Sequence, residues 1–316
     1  MLERRVAELS LLSFVKGSPL DKQKFIDDFY RGIVDYGFII LTDHIVDQAL
    51  VDKAYELSHQ LFSLSDIEKE NFTCSEKGNQ RGYTPFGKER AVGCNASDLK
   101  EFWHVGRELA CGHQFEKFYP ANIWPSQIKE FKETFLKLYQ NLDQTSDVLL
   151  EALTYHLDLP NTFFKDMTRD GNSILRMIHY PPVKKEQVKT GSIRAAAHGD
   201  INLITLLVGA RGSGLQLLDR DEKWLDVATR PGELVVDAGD MMSRLTNEVI
   251  PSTIHRVINP DSDNYDTHRY SMPFFVHPHP EASLNCLPSC VGSGAKFPDI
   301  SAHTFLEQRL EQIGLM

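Results

Sequence analysis

The hydrophobic period of this chain changes near residue 173, and that change constrains its fold more than any other feature. Beyond it, segments 174–180, 203–208, 215–218, 224–227, 233–236, 253–258 and 270–276 are short runs rich in Ile, Val, Leu and aromatic residues. Gly, Pro and Asp cluster between them. Runs of this length bounded by turn formers predict strands, because an amphipathic helix needs a longer stretch at three- and four-residue spacing. Strands that follow one another without intervening helices predict an antiparallel sandwich or barrel. A jelly roll (double-stranded β-helix) is the expected form, since two facing sheets protect their edges and leave a mouth for a ligand.

The first half has a different period. In 21–35, Phe25, Phe29 and Ile33 recur at spacing four behind an acidic start, which predicts a helix. Gly37-Phe-Ile-Ile-Leu41 predicts one buried strand, and 46–63 returns to helical spacing through Leu50, Ala54, Leu57 and Leu61. Residues 73–98, rich in Gly, Ser, Asn and Lys, predict a long irregular loop. A long helix is expected after Pro125, with Ser126 as its N-cap, ending before Pro160. A closing helix is expected over 301–314. The expected class is therefore mainly β with flanking helices (α+β), in one domain spanning 1–316. Within it, 1–170 is mostly helical, 171–280 is the jelly-roll core and 281–316 is a C-terminal extension.

Composition narrows the function classes. Forty-four acidic against 34 basic side chains give a net charge of -10, which disfavours a nucleic acid or an anionic membrane as partner. No run of about 18 apolar residues predicts a membrane-spanning helix, and the N-terminal stretch lacks the apolar centre of a signal peptide. Five cysteines, Cys74, Cys94, Cys111, Cys286 and Cys290, are sparse and odd in number. They predict free thiols and a cytoplasmic location. A small-molecule substrate is the expected partner, and the sequence does not address oligomeric state.

Three polar positions in the strand-rich half suggest chemistry. In His198-Gly199-Asp200, extended backbone would turn residues i and i+2 to one face, so an imidazole and a carboxylate would converge. His255 lies in Ser252-Thr-Ile-His-Arg-Val257, a second strand-like segment. Two histidines and one carboxylate can fill one face of an octahedral ion and leave three positions for exogenous ligands, the facial arrangement of non-haem Fe(II) oxygenases. Arg269-Tyr270-Ser271 follows on the next strand. An Arg fork with a neighbouring hydroxyl can bind a carboxylate such as the distal group of 2-oxoglutarate. Tyr180, before Pro181-Pro182, is a candidate to complete that carboxylate site, to contact substrate or simply to bond backbone.

Taken together, these residues resemble the isopenicillin N synthase-like family of Fe(II)/2-oxoglutarate-dependent dioxygenases. The resemblance runs in order through Tyr36-Gly-Phe-Ile-Ile, Phe62-Ser-Leu-Ser-Asp-Ile-Glu-Lys69, Arg81-Gly-Tyr83 and Asp98-Leu-Lys-Glu-Phe102. It continues through His198-Gly-Asp200, Gly214-Leu-Gln216, Pro231-Gly232 to Gly239-Asp240, Ser252-Thr-Ile-His-Arg256 and Arg269-Tyr-Ser271. It implies a double-stranded β-helix with His198, Asp200 and His255 as iron ligands and with Arg269 and Ser271 on the 2-oxoglutarate carboxylate. It also implies that O2 is consumed, that succinate and CO2 are released, and that a C–H bond is hydroxylated, desaturated or cyclised. Gly199 stands where Thr is commoner in the family.

Two alternatives stand beside this expectation. One is a keto-acid-independent iron oxidase of the same fold, in which Arg269 and Ser271 grip a carboxylate of the substrate. The other is a jelly roll whose three ligands hold zinc for hydrolysis or mere binding. The substrate itself should be chosen by loops near 78–106 and 181–197 and by the C-terminal helix. Arg81, Tyr83, Glu101, His104 and Arg176 are the candidate contacts.

Overall fold

A computed structural model describes residues 6–74, 80–89, 96–184, 186–187 and 192–313. In the first half the order is β1 (Glu8–Ser10), α1 (Leu11–Val15), α2 (Pro19–Tyr36), β2 (Phe38–Thr42), α3 (Gln48–Phe62) and α4 (Asp66–Glu70). There follow β3 (Gly82–Thr84), β4 (Glu101–Gly106), α5 (Phe131–Leu157) and α6 (Phe163–Thr168). The second half carries β5 (Ile174–Tyr180), β6 (Ala195–His198), β7 (Ile204–Arg211), β8 (Leu215–Leu218), β9 (Trp224–Asp226) and β10 (Leu234–Ala238). It closes with α7 (Asp240–Leu245), β11 (His255–Val257), β12 (Arg269–Val276) and α8 (Ala302–Gln312).

Local chemistry explains the helix ends. Ser18 and Asp21 form a reciprocal capping box at the start of α2, with Pro19 in the first turn. Gly37 ends that helix at φ 82°, a left-handed position that a Cβ would strain. Ser126 does not cap α5. Residues 125–128 instead close a turn through Ile128 N–H donating to the Pro125 carbonyl, and the helix starts after Glu130, where Phe131 is buried. Ser301 does cap α8, accepting from Thr304 N–H at 3.2 Å.

Two sheets form. The larger has eight strands in the order β1-β2-β10-β7-β12-β5-β4-β3, the smaller four in the order β6-β11-β8-β9. The half expected to be helical thus contributes four strands to the larger sheet. Its pairs are antiparallel apart from β1 with β2, which run parallel. A short helix, α7, also interrupts the second half, which had been expected to run strand to strand.

The larger sheet has two chemically distinct faces. On β5, Leu175 and Met177 join the main core, whereas Ile174, Arg176, Ile178 and Tyr180 face a cavity. On β12, Met272, Phe274 and Val276 face the core, and Arg269, Ser271, Pro273 and Phe275 the cavity. β7 and β10 divide in the same way, with Thr205, Leu207, Val235 and Asp237 on the cavity side. The core face packs on α2, α3 and α5 through residues such as Phe29, Leu61 and Phe135, each under 1% exposed. The cavity face meets the smaller sheet: Phe102, Ile178 and Tyr180 pack with Ala195 and Val257, and Phe38 and Val235 pack with Leu217.

Among the described residues no helix is long and apolar enough to cross a membrane. Cys111, Cys286 and Cys290 are free thiols, and Cys94 lies outside the described residues. Phe274 is fully buried, with its ring edge-on to Tyr139 at 4.9 Å. Replacing Phe274 with Ala should therefore cost about 3–5 kcal/mol in denaturant unfolding. Replacing the exposed Phe86 with Ala should change stability by no more than about 0.5 kcal/mol.

Candidate metal centre

Strand pairing brings the two histidines together. His198, the last residue of β6, is the direct cross-strand partner of His255, the first residue of β11. The rings stand 4.5 Å apart, inside the spacing expected of opposed residues on one face. Each ring is oriented by its own backbone: Nδ1 lies 2.7 Å from the Ala196 carbonyl in His198 and 3.3 Å from the Thr253 carbonyl in His255. A carbonyl only accepts, so Nδ1 carries the proton and Nε2 is left with its lone pair. Burial first, and the neighbouring His255 second, hold His198 below the ordinary imidazole range, which keeps it neutral.

Asp200 arrives by a different route from the one its spacing suggests. β6 ends at His198, so Asp200 sits in the turn beyond the strand. Hydrogen bonds from the start of α7 fix that turn: Asp240 N–H donates to the Asp200 carbonyl at 2.7 Å, and Gly239 N–H to that of Leu203 at 3.0 Å. Gly239 must be glycine for this approach, because a Cβ would lie 2.4 Å from the Asn202 carbonyl oxygen. Asp200 Oδ1 lies 3.9 and 3.8 Å from the Nε2 atoms of His198 and His255, while Oδ2 accepts from the Thr205 hydroxyl at 2.5 Å. The three donor atoms all fall within 4.8 Å of one another. Two imidazoles and a carboxylate, each held by a second partner, suit an ion such as Fe(II). Asp237 lies nearby on the cavity face, and burial, then the Asp200 charge, push its carboxyl well above the usual range.

The centre opens into a cavity of about 350 Å³ between the sheets. At one end Arg269 is 1% exposed, and among the described residues it has no carboxylate partner. Its Nη1 lies 3.3 Å from Ser271 Oγ, its guanidinium sits 4.9 Å from the Tyr180 ring, and its Nε has no partner. Tyr180 is the cross-strand partner of Arg269, so all three predicted anchor residues meet here. Arg194, which sequence reasoning missed, adds a second buried cation. Burial and then Arg269 push it down to about 10. Among the described residues neither guanidinium has an acid beside it, which suits this end of the cavity to an anion.

At the other end Arg176 and His104 face the cavity with Glu89, Lys100 and Asp98. Arg81, Tyr83 and Glu101, also expected there, do not line it. Tyr83 and Lys69 bond Glu101 on the opposite side of the sheet, together with His179, and Arg81 binds Gln80 and Asn172. The reason is strand alternation: on β4, His104 turns to the cavity and Trp103 and Val105 to the core. A second cavity of about 460 Å³ shares Gln80, His277, Leu306 and Leu310 with the first and runs beneath α8.

Comparison with known proteins gives the same arrangement a relationship. Residues 6–127 match a family model described as the N-terminal region of non-haem dioxygenases in morphine synthesis, and residues 171–278 match that of the 2OG-Fe(II) oxygenase superfamily. A 2-oxoglutarate-Fe(II) type oxidoreductase of Emericella nidulans, hxnY, is 30% identical, over 92% of this chain and 85% of its own. A protein of Caulobacter crescentus assigned to the 2OG-Fe(II) oxygenase family has a crystal structure that superposes with a TM-score of 0.86. It is 42% identical and covers 98% of this chain and 99% of its own. A full-length Neurospora crassa protein, crystallised with alpha-KG and thymine, gives a TM-score of 0.86 at 26% identity, over 97% and 96% of the two chains.

Thr205 is the partner of Asp200 that no sequence pattern marked. Thr205→Val keeps the shape and removes the hydroxyl. Affinity for Fe(II), followed by anaerobic titration, should fall about 10- to 100-fold with little change in melting temperature.

Proposed function

The chain belongs to the 2OG-Fe(II) oxygenase superfamily, and from that membership we propose that His198, Asp200 and His255 hold the iron while Arg269, Ser271 and Tyr180 hold 2-oxoglutarate. The protein is an Fe(II)- and 2-oxoglutarate-dependent dioxygenase that oxidises a small organic substrate. We further propose that the two sheets are the halves of a double-stranded β-helix within one domain. The shared core running from Leu9 to Ala302 supports the single domain, and the sparse cysteines favour a cytoplasmic location.

One observation carries the residue assignment: a buried Arg269, without an acid among the described residues, stands in the same cavity as three convergent metal donors. When bound, Fe(II) and 2-oxoglutarate couple O2 reduction to release of succinate and CO2 and supply the oxidant for a substrate C–H bond. The chain's residues do the rest. Arg269 neutralises the distal carboxylate, with Arg194 adding to the field and the Ser271 hydroxyl and Tyr180 beside it. Leu207, Leu215, Leu217 and Val257 make the surrounding wall apolar, which excludes water and orients the keto acid toward the metal. Thr205 holds Asp200 so that one oxygen remains for the ion.

Asp200→Ala should lose iron from the isolated protein, measured by metal analysis, and succinate release should vanish with it. Arg269→Met should retain iron but weaken 2-oxoglutarate binding by about 100-fold or more, read from the absorption of the anaerobic Fe(II)–keto acid complex. Full iron occupancy in the first variant, or unchanged keto acid affinity in the second, would refute the corresponding assignment.

A further inference from the structure

The cavity holds an arginine at each end, and their surroundings differ in charge. Arg269 has no acid beside it among the described residues. Arg176 has one already: its Nη1 lies 3.2 and 3.4 Å from the two oxygens of Glu89. Its Nε donates to His104 Nε2 at 2.6 Å, and the guanidinium carbon lies 4.1 Å from the Phe102 ring centroid and 5.1 Å from that of Phe275. That arrangement engages Nε and Nη1 and sets two aromatic rings against the guanidinium. Nη2 donates to none of the described residues, yet it is not sealed from the cavity that Arg176 lines.

The charge of this cluster closes on itself. Lys100 lies 2.8 Å from Glu89 and 2.9 Å from Asp98, and Asp98 also accepts from Ala196 N–H at 2.9 Å. Two cations face two carboxylates. Burial alone would raise the Glu89 carboxyl, but Arg176 and then Lys100 hold it well below the ordinary range, so it is charged at neutral pH. The group is also near the metal donors, since the fields of Glu89 and Lys100 both reach His198. Leu306, Leu310 and Ile313 from the C-terminal segment line the same cavity with apolar surface.

We infer that this end of the cavity receives an uncharged substrate whose carbonyl, of an amide, lactam or ring-amide type, accepts a hydrogen bond from Arg176 Nη2. The inference rests on the assignment of the opposite end to 2-oxoglutarate. A carboxylate here would bring an unbalanced charge into a buried cluster that is already neutral. A neutral acceptor satisfies the Nη2 donor and leaves the balance intact. The two ends thus sort their ligands by charge: the anion goes to the unpaired arginine and the neutral carbonyl to the paired one.

The test uses matched probes on the whole protein, anaerobic, with Fe(II), with and without saturating 2-oxoglutarate. Benzamide and 2-piperidone are compared with benzoate and pentanoate by calorimetry and saturation-transfer NMR. With 2-oxoglutarate present, the amides should bind at least about tenfold more tightly than the carboxylates. Arg176→Met should weaken the amides about tenfold or more while 2-oxoglutarate affinity stays unchanged. Glu89→Gln removes one negative charge, and should shift the preference toward benzoate by about tenfold, an outcome that misfolding would not produce. Equal or tighter binding of the carboxylates, absence of amide binding, or an unmoved preference in Glu89→Gln overturns the inference. Failure of 2-oxoglutarate itself to bind the wild-type protein overturns instead the assignment of the Arg269 end.

Discussion

Alternation along the strands of the larger sheet is the constraint on which the site depends. Successive side chains of a strand point to opposite faces, and here the two faces differ in chemistry. Leu175, Met177, Met272 and Phe274 anchor one face in the helix-packed core, while Arg176, Tyr180, Arg269 and Ser271 stand on the other. The apolar set fixes the register, and the register in turn aims every polar group. A slip of one residue in β5 or β12 would bury Arg176 or Arg269 among the core leucines, at the cost of an unpaired charge in an apolar surround. The polar residues of the cavity are therefore held in place by neighbours they never touch.

This is also why much of the site was legible in the sequence. Arg269 and Ser271, or Phe274 and Val276, differ by two, and that spacing alone assigns faces once a strand is recognised. β5 and β8 were recognised to the residue because Ile, Leu, Met and Tyr dominate them. β6 was not, because its Ala-Ala-Ala-His has no β-branched or aromatic residue before the histidine, although pairing with β11 makes it a strand. β4 lay hidden beside an irregular segment, where Lys100, Glu101 and His104 interrupt any apolar alternation. Glu89, which joins Lys100 to Arg176, was beyond reach for a related reason: Arg176 is far along the chain, and no local period connects them. Arg81, Tyr83 and Glu101 show the converse error, in which polarity was taken as a sign of the cavity when it belonged to hydrogen-bonded networks elsewhere.

Charge balance separates two arginines that composition cannot tell apart. Both lie in buried surroundings on the cavity face, one strand apart in the sheet. Among the described residues Arg269 has no carboxylate beside it and meets a hydroxyl, an aromatic ring and a second guanidinium, so the proposed anion would supply its counter-charge. Arg176 is placed beside Glu89, with Lys100 and Asp98 completing the balance. The first arrangement leaves a buried cation uncompensated among the described residues, a cost in stability that a bound anion would offset. The second uses internal pairing to keep a donor oriented without attracting one. In a cavity of about 350 Å³, such a difference can keep a dicarboxylate co-substrate from binding backwards.

The third ligand ties the metal centre to the outer shell of the molecule. His198 and His255 belong to a strand pair and are held by its ladder, but Asp200 hangs from a turn. That turn is fastened by backbone donors at the start of α7, and Asp240 at the same point receives Arg309 of α8 at 2.5 Å. Leu306 and Leu310, on the same helix as Arg309, line the cavity. A helix that lines the cavity is therefore joined by one ion pair and one backbone hydrogen bond to the carboxylate proposed to meet the metal. The close fit of Gly239 against Asn202 leaves little slack in that chain of contacts, since its Cα approaches the turn too closely for any side chain. Position of the closing helix and geometry of the Asp200 carboxylate are consequently set by the same few bonds, which ties the wall of the cavity to the three convergent donors.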